Sequence, residues 1–200
     1  VLTSSANTLV RSEDGWVSHN TDVFGIRQAL SERLGPQTDS IKRVFILGTG
    51  ATARSVVAAL SQGHPEALVM VWGRSSEKAS GVVAFGKSLG LAIDIESDIS
   101  AGLLEADLSI STLPKGSVDS FWSEFAESDA LRPQGYLFDV NYNPWPSAAA
   151  SAWGNDRVIS GLEMLIYQAV KQVRIFAEAC DKVITATNEE IAEVMRGAIS

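Results

Sequence analysis

The 200-residue sequence predicts an α/β fold: a doubly wound, mainly parallel sheet, flanked by elements of an incomplete second α/β domain. Three observations carry that prediction. Short β-branched runs alternate with longer amphipathic stretches, the pattern of repeated βαβ units. The run Val44-Phe45-Ile46-Leu47 is apolar at every position, as a strand covered on both faces must be. Directly after it comes Gly48-Thr49-Gly50-Ala51-Thr52-Ala53, a G-x-G-x-x-A turn placed where a strand would enter a helix, which makes the sheet Rossmann-like.

The elements follow in order. Ala6 to Val17 reads as a hairpin turning at Ser12-Glu13-Asp14-Gly15. Asn20-Thr21-Asp22 then precedes a helix with apolar positions Phe24, Ile26, Leu30 and Leu34, closed by Gly35-Pro36. Strands are predicted at Val44 to Leu47, Ala67 to Trp72, Ala92 to Ile95, Asp107 to Ser111, Tyr136 to Val140 and Arg157 to Ile159. Helices between them are predicted at Ala51 to Leu60, Ser76 to Leu89, Val118 to Phe125 and Ser147 to Trp153. Gly161 opens a long helix to about Ala179, and Asn188 caps a last one from Glu189 to about Ala198. Segments from both chain ends must therefore meet beside the sheet. With Val1 in place of Met, the chain reads as a fragment whose missing part lies upstream.

Composition narrows the function classes. With 46% hydrophobic and 20% charged residues the chain can build a core. A net charge of −8 and a pI near 4.8 argue against nucleic acid or an anionic membrane as partner. An anionic cofactor needs only local positive potential. No apolar run has the length of a membrane span and no secretory signal opens the chain, so a cytoplasmic location is expected. Cys180, the lone cysteine, allows neither a disulfide framework nor a cysteine-based metal site, and it falls on an apolar helical pattern that predicts burial. His19 and His64 have no partners at ligand spacing, so no metal is expected.

The glycine-rich turn points to a dinucleotide. Gly48 permits the tight turn, and Gly50 removes the Cβ that would block a pyrophosphate. Ala53 lets the helix pack close, and the free N–H groups of Ala51 and Thr52 at the helix start face the phosphates. A ligand-free strand-to-helix turn gives the same short run, and it is the surrounding βα units that favour binding. After the second strand, where an NAD site usually carries an acid, the sequence reads Gly73-Arg74-Ser75-Ser76-Glu77-Lys78. Arg74, Ser75 and Lys78 suit an additional phosphate, and NADP(H) is the expected cofactor. The plainer alternative makes Arg74 a solvated surface residue and Ser75 a helix cap. A third segment, with Ser111, Thr112 and Leu113 leading into Pro114-Lys115-Gly116, could follow the cofactor's ribose and nicotinamide; an ordinary Pro-Gly loop explains it nearly as well.

Together these motifs resemble the shikimate dehydrogenase family, in the family's order and from Ala6 to about Ala179. Ala6-Asn7-Thr8-Leu9 is similar to its A-x-N-T segment, and Asn20-Thr21-Asp22 to its N-T-D motif. Gly73-Arg74-Ser75 stands where the family often has N-R-T. Tyr136 to Pro144 is similar to D-x-x-Y-x-P, and Gly161-Leu162-x-Met164-Leu165-x-x-Gln168 to G-x-x-M-L-x-x-Q. The resemblance implies substrate contacts from Asn7, Asp22, Tyr142 and Gln168. It makes Asp22 the catalytic partner of a lysine, and it sets Gly161 and Met164 against the nicotinamide. It further implies NADPH-dependent reversible reduction of 3-dehydroshikimate to shikimate, in chorismate and aromatic amino acid biosynthesis, and it leaves room for a homodimer.

Under that resemblance, residues 1–22 are a remnant of an N-terminal substrate domain, 23–160 the NADP-binding domain with its connecting helix, and 161–200 helices packing toward the substrate domain. The sequence departs from the family at Gly73, at Asn143-Pro144-Trp145-Pro146-Ser147, and in lacking the segment with the serine pair and catalytic lysine. The chain alone is therefore expected to be inactive. Without the family, Asp22 is a helix-capping residue, Asn7 a turn residue, Tyr142 a rim residue and Gln168 a solvent-facing position. Rival readings are a quinate/shikimate dehydrogenase of broader cofactor use, a non-catalytic NADP-binding module, or another two-domain NADP enzyme.

Overall fold

The computed structural model describes residues 3–128, 132–154 and 156–199; Val1 and Leu2, read above as the open end of the chain, lie outside them. The chain begins with β1 (Thr8–Ser12), β2 (Gly15–His19), α1 (Asp22–Leu34) and a 3-10 turn (Gly35–Ser40). Next come β3 (Arg43–Leu47), α2 (Ala51–Gly63), β4 (Leu68–Trp72), α3 (Ser76–Ser88), β5 (Ala92–Ile95) and α4 (Ile99–Glu105). It continues through β6 (Leu108–Ser111), α5 (Asp119–Glu127), β7 (Tyr136–Asp139), α6 (Ala148–Trp153) and β8 (Val158–Ser160). It ends with α7 (Gly161–Ala179) and α8 (Asn188–Ile199).

Six strands form one sheet in the order β5-β4-β3-β6-β7-β8, every neighbouring pair parallel. The order reverses between β3 and β6, and in such sheets ligands collect beyond the strand ends at that point. The register brings Leu47 opposite both Trp72 and Ser111, so the turns after β3, β4 and β6 open at one level.

Alternation along β3 divides the core. Val44 and Ile46 point to the face covered by α1, α2 and α3, where Ile26, Leu30, Val56, Leu60 and Val82 are buried. Phe45 and Leu47 point to the other face, against Leu103, Trp122, Phe125 and Trp153 of α4, α5 and α6. Trp122 meets Phe125 edge-on at 5.6 Å. The hairpin β1–β2 is a separate two-stranded antiparallel sheet whose two-residue turn is Glu13-Asp14. From the far end, α7 packs on α1 at the glycine Gly25, and its Ile166, Tyr167 and Val170 form a small core with Ala192 of α8. Arg196 of α8 bridges Glu32 of α1 at 2.9 Å and Glu163 of α7 at 2.6 Å.

The predicted elements are present with boundary shifts of a few residues, and two expectations need correction. Helix α4 was not predicted: its seven residues span under two turns, too few for an apolar period to show. Asp98, which accepts hydrogen bonds from the Ser100 and Ala101 amides, starts it. Cys180 is exposed rather than buried, because α7 ends at Ala179 and Cys180 is already its C-terminal cap. Among the described residues no helix is long and apolar enough to cross a membrane.

Candidate functional site

At the switch point lies a cleft of about 870 Å³. Its floor is the turn after β3, held by the Gly48 amide on the Trp72 carbonyl at 2.8 Å and by the Thr112 amide on the Leu47 carbonyl at 2.8 Å. Helix α2 starts at this floor with Gly50 as its cap and no side-chain cap, so its first amides are left for a ligand. Gly48, Thr49, Gly50, Ala51 and Thr52 all line the cleft.

The second wall follows β4. Gly73, Arg74, Ser75 and Lys78 line it, with the Arg74 and Lys78 side chains exposed. Ser75 caps α3 by accepting the Lys78 amide at 3.3 Å, so it is a helix cap and a cleft residue together. At Gly73 an added Cβ would sit 2.4 Å from Thr49 Cγ2; the Thr49 side chain occupies the space that a side chain at 73 would need. Thr112 and Leu113 form the third wall with Pro114.

Four residues expected at the cofactor do not line this cleft. Ala53 is fully buried beneath α2, which is its packing task. Ser111 is buried at the end of β6 and lines a neighbouring cavity of about 100 Å³ with Asp139 and Asn141. Met164 belongs to the core on the α1 face, and Gly161 backs onto the Val140 carbonyl, where a Cβ would come within 2.0 Å. Conversely, Thr3, Ser4, Ser5 and Arg54 line the cleft without having been expected there. Arg54 Nε donates to the Thr3 carbonyl at 3.1 Å, and its guanidinium lies 4.0 Å above the Phe85 ring. Nothing local in the sequence marks that meeting across 51 residues.

Segment 3–5 leads straight into a second cluster. The hairpin brings Asn7, just before β1, beside Thr21, just after β2. Asn7 Nδ2 donates to Asp22 Oδ1 at 2.8 Å and lies 3.4 Å from Gln168 Oε1 on α7. Thr21 is the cap of α1, yet its hydroxyl makes no cap bond and turns to Asn7 Oδ1 at 3.1 Å. Asn20 accepts the Asp22 amide at 2.9 Å instead, and its own Nδ2 reaches the hydroxyls of Thr3, Ser5 and Ser55 at 2.7, 3.1 and 3.0 Å. Asp22 thus follows the cap as the first helical residue, with its carboxylate in the cluster.

Comparison with known proteins places this geometry. A solved Mycobacterium tuberculosis shikimate dehydrogenase superposes with a TM-score of 0.77 at 30% identity, over 98% of this chain and 69% of that one. The chain belongs to the shikimate dehydrogenase family. The curated "Shikimate dehydrogenase (NADP(+))" of Geobacter metallireducens is 30% identical over 175 residues, covering 84% of this chain and 60% of that protein. The one from Crocosphaera subtropica is 30% identical over 189 residues, covering 88% and 64%. The chain therefore spans about 60% of the length of the first of these relatives. No protein-family model matches it.

In this member of the shikimate dehydrogenase family the family-like residues Asn7, Asp22 and Gln168 converge, whereas Tyr142 stands apart, exposed on the loop after β7. Burial raises the Asp22 carboxyl above its ordinary range, and the Asn7 hydrogen bond pulls it back in part. No lysine among the described residues contributes to that balance.

Proposed function

We propose that this chain forms the NADP(H)-binding part and one wall of the substrate site of a shikimate dehydrogenase, which interconverts 3-dehydroshikimate and shikimate. One observation carries the reading. An amide–carboxylate–amide cluster, Asn7, Asp22 and Gln168, adjoins a phosphate-type cleft through the shared segment 3–5. The two curated relatives, both named shikimate dehydrogenase (NADP(+)), support the cofactor and the reaction.

The residues present fit such a cofactor. The uncapped α2 amides would meet a pyrophosphate, bare backbone at Gly50 would allow its approach, and Arg74, Ser75 and Lys78 would offer donors to a phosphate on the adenosine ribose. The group supplies the hydride exchanged with the substrate's hydroxyl-bearing carbon. The chain's own residues do the rest. Asn7 and Gln168 offer amide groups that can hold ring hydroxyls in a fixed orientation. Asp22 offers a carboxyl group placed to orient a lysine ammonium, the general acid that the family resemblance implies. The described residues bring no lysine to Asp22, so that group enters from outside this sequence, and the 200-residue chain binds cofactor without turning over. In this reading residues 1–22 belong to the substrate domain, 23–160 to the cofactor domain and 161–200 to helices that join the two.

Fluorescence titration with NADPH and NADH tests the cofactor. NADPH is expected to bind at least about tenfold more tightly, and Arg74→Ala to remove most of that preference, about 1.5–3 kcal/mol for a charge-assisted contact. Equal or tighter NADH binding overturns the assignment. Assay of the native polypeptide with shikimate or quinate, each with NADP or NAD, tests the reaction. The shikimate–NADP pairing is expected to be fastest.

A further inference from the structure

The Asn7 side chain has an oxygen and a nitrogen end, and the surrounding atoms decide which end faces which way. The Thr21 backbone N–H, a donor only, lies 3.0 Å from one end, so that end is the oxygen. The Thr21 hydroxyl at 3.1 Å and the Thr8 hydroxyl at 3.0 Å address the same oxygen. Both threonines are buried, at 1% and 3% exposure, so neither hydroxyl can exchange its partner for bulk water at low cost.

The chain of donors extends one residue further. Gln172 Nε2, one turn beyond Gln168 on α7, lies 3.0 Å from Thr8 Oγ1. Thr8 donates its proton to the Asn7 oxygen and in turn accepts from the Gln172 amide nitrogen, an order that leaves neither contact acceptor against acceptor. The sequence Gln172 to Thr8 to Asn7 to Asp22 is therefore a one-way row of donors. With the opposite polarity, the Asn7 oxygen would face the Asp22 carboxylate, acceptor against acceptor. Gln168 follows the same logic: its oxygen accepts from Asn7, which leaves its NH₂ as the donor end.

We propose that Gln172, Thr8 and Thr21 are positioning residues that fix the polarity of the Asn7 amide, and through it the donors presented to substrate oxygens. This rests on the functional reading above for its consequence in catalysis, though not for the hydrogen-bond order itself.

Reversing one member tests it. In Gln172→Glu the carboxylate accepts the Thr8 proton, and a Thr8 lone pair is turned on the Asn7 oxygen. KM for shikimate is expected to rise about five- to tenfold, the worth of roughly one hydrogen bond, with a smaller change in kcat. Adding Thr8→Val removes that lone pair, so the double variant is expected to recover part of the loss. A merely structural role for these residues predicts the reverse, a double variant worse than either single one, and that result overturns the proposal.

A second readout does not depend on turnover. In the native polypeptide with labelled Asn nitrogen and Asp carboxyl carbon, NMR should detect coupling from the Asn7 NH₂ to the Asp22 carboxyl. The coupling is expected to fade in Gln172→Glu and return in the double variant; coupling that ignores both changes overturns the proposal. Should Gln172→Glu not fold, Thr8→Val alone must weaken the coupling, and an unaltered signal counts against the proposal. If the wild type shows the coupling but oxidises no shikimate, it is the functional reading that fails, while the amide order stands.

Discussion

An ideal Cβ on Gly25 would lie 2.6 Å from the Met164 carbonyl oxygen and 3.1 Å from the Gln168 amide, so α1 and α7 touch backbone to backbone. Asp22 begins the first helix, less than one turn before Gly25, and Gln168 lies on the second at the contact itself.

Gly25→Ala should therefore act on stability and site together. The methyl group cannot be absorbed by a flexible side chain, because the atoms it meets are backbone. A loss of about 1–3 kcal/mol is expected, the range for overpacking a tight core. Urea denaturation measures it, and a raised KM in the native polypeptide reports the separation of Asp22 from Gln168. A variant as stable as wild type would show that the helices part freely.

Asp22→Asn should separate function from stability. The folded Asp22 pKa lies above its unfolded value, so the folded state binds this proton more tightly. Its contribution to stability is full below the ordinary carboxylate pKa and falls as pH rises through the window up to the raised value. Above that window, ionisation of the partly buried group disfavours the fold. Asn can still accept from Asn7 and carries no charge. At pH 7 the variant is expected to melt above the wild type, with the two converging in acid, and turnover in the native polypeptide to fall about 10²-fold or more. Melting curves from pH 3 to 8 check the sign.

Thr49 and Gly73 should behave as a coupled pair. Gly73→Asn alone drives a Cβ into Thr49 Cγ2 and is expected to weaken NADPH binding. Thr49→Ala clears that space, so the double variant is expected to bind better than Gly73→Asn alone. A coupling of about 1–2 kcal/mol, typical of residues in contact, is expected from the four dissociation constants. Additive losses would mean that the two side chains do not share this space.

What the sequence made legible follows how local each signal is. The turn Gly48 to Ala53 and the run Gly73 to Lys78 carry their meaning within a few residues, and both reach the cleft. Helix α7 could be bounded at Gly161 and Ala179 because its apolar stripe is long. Helix α4, at seven residues, left no such trace. Asn7 and Gln168 are separated by 161 positions, and only the likeness to a family linked them. Arg54 and Gln172 were not legible at all, and Thr8 stood out only as part of the Ala6-to-Leu9 run. Their roles come from partners 51, 164 and 1 positions away, through a hydrogen-bond order that no periodicity encodes.

The Asn20 amide, where hydroxyls from residues 3, 5 and 55 meet, ties the start of the hairpin to the phosphate-binding helix. Together with the Arg54 bond to the Thr3 carbonyl, it knots both chambers to one shared partition. A swing that admitted or released a reactant would have to pivot beyond this knot, with Asn7 and the cofactor's cradle riding on the same side of the hinge.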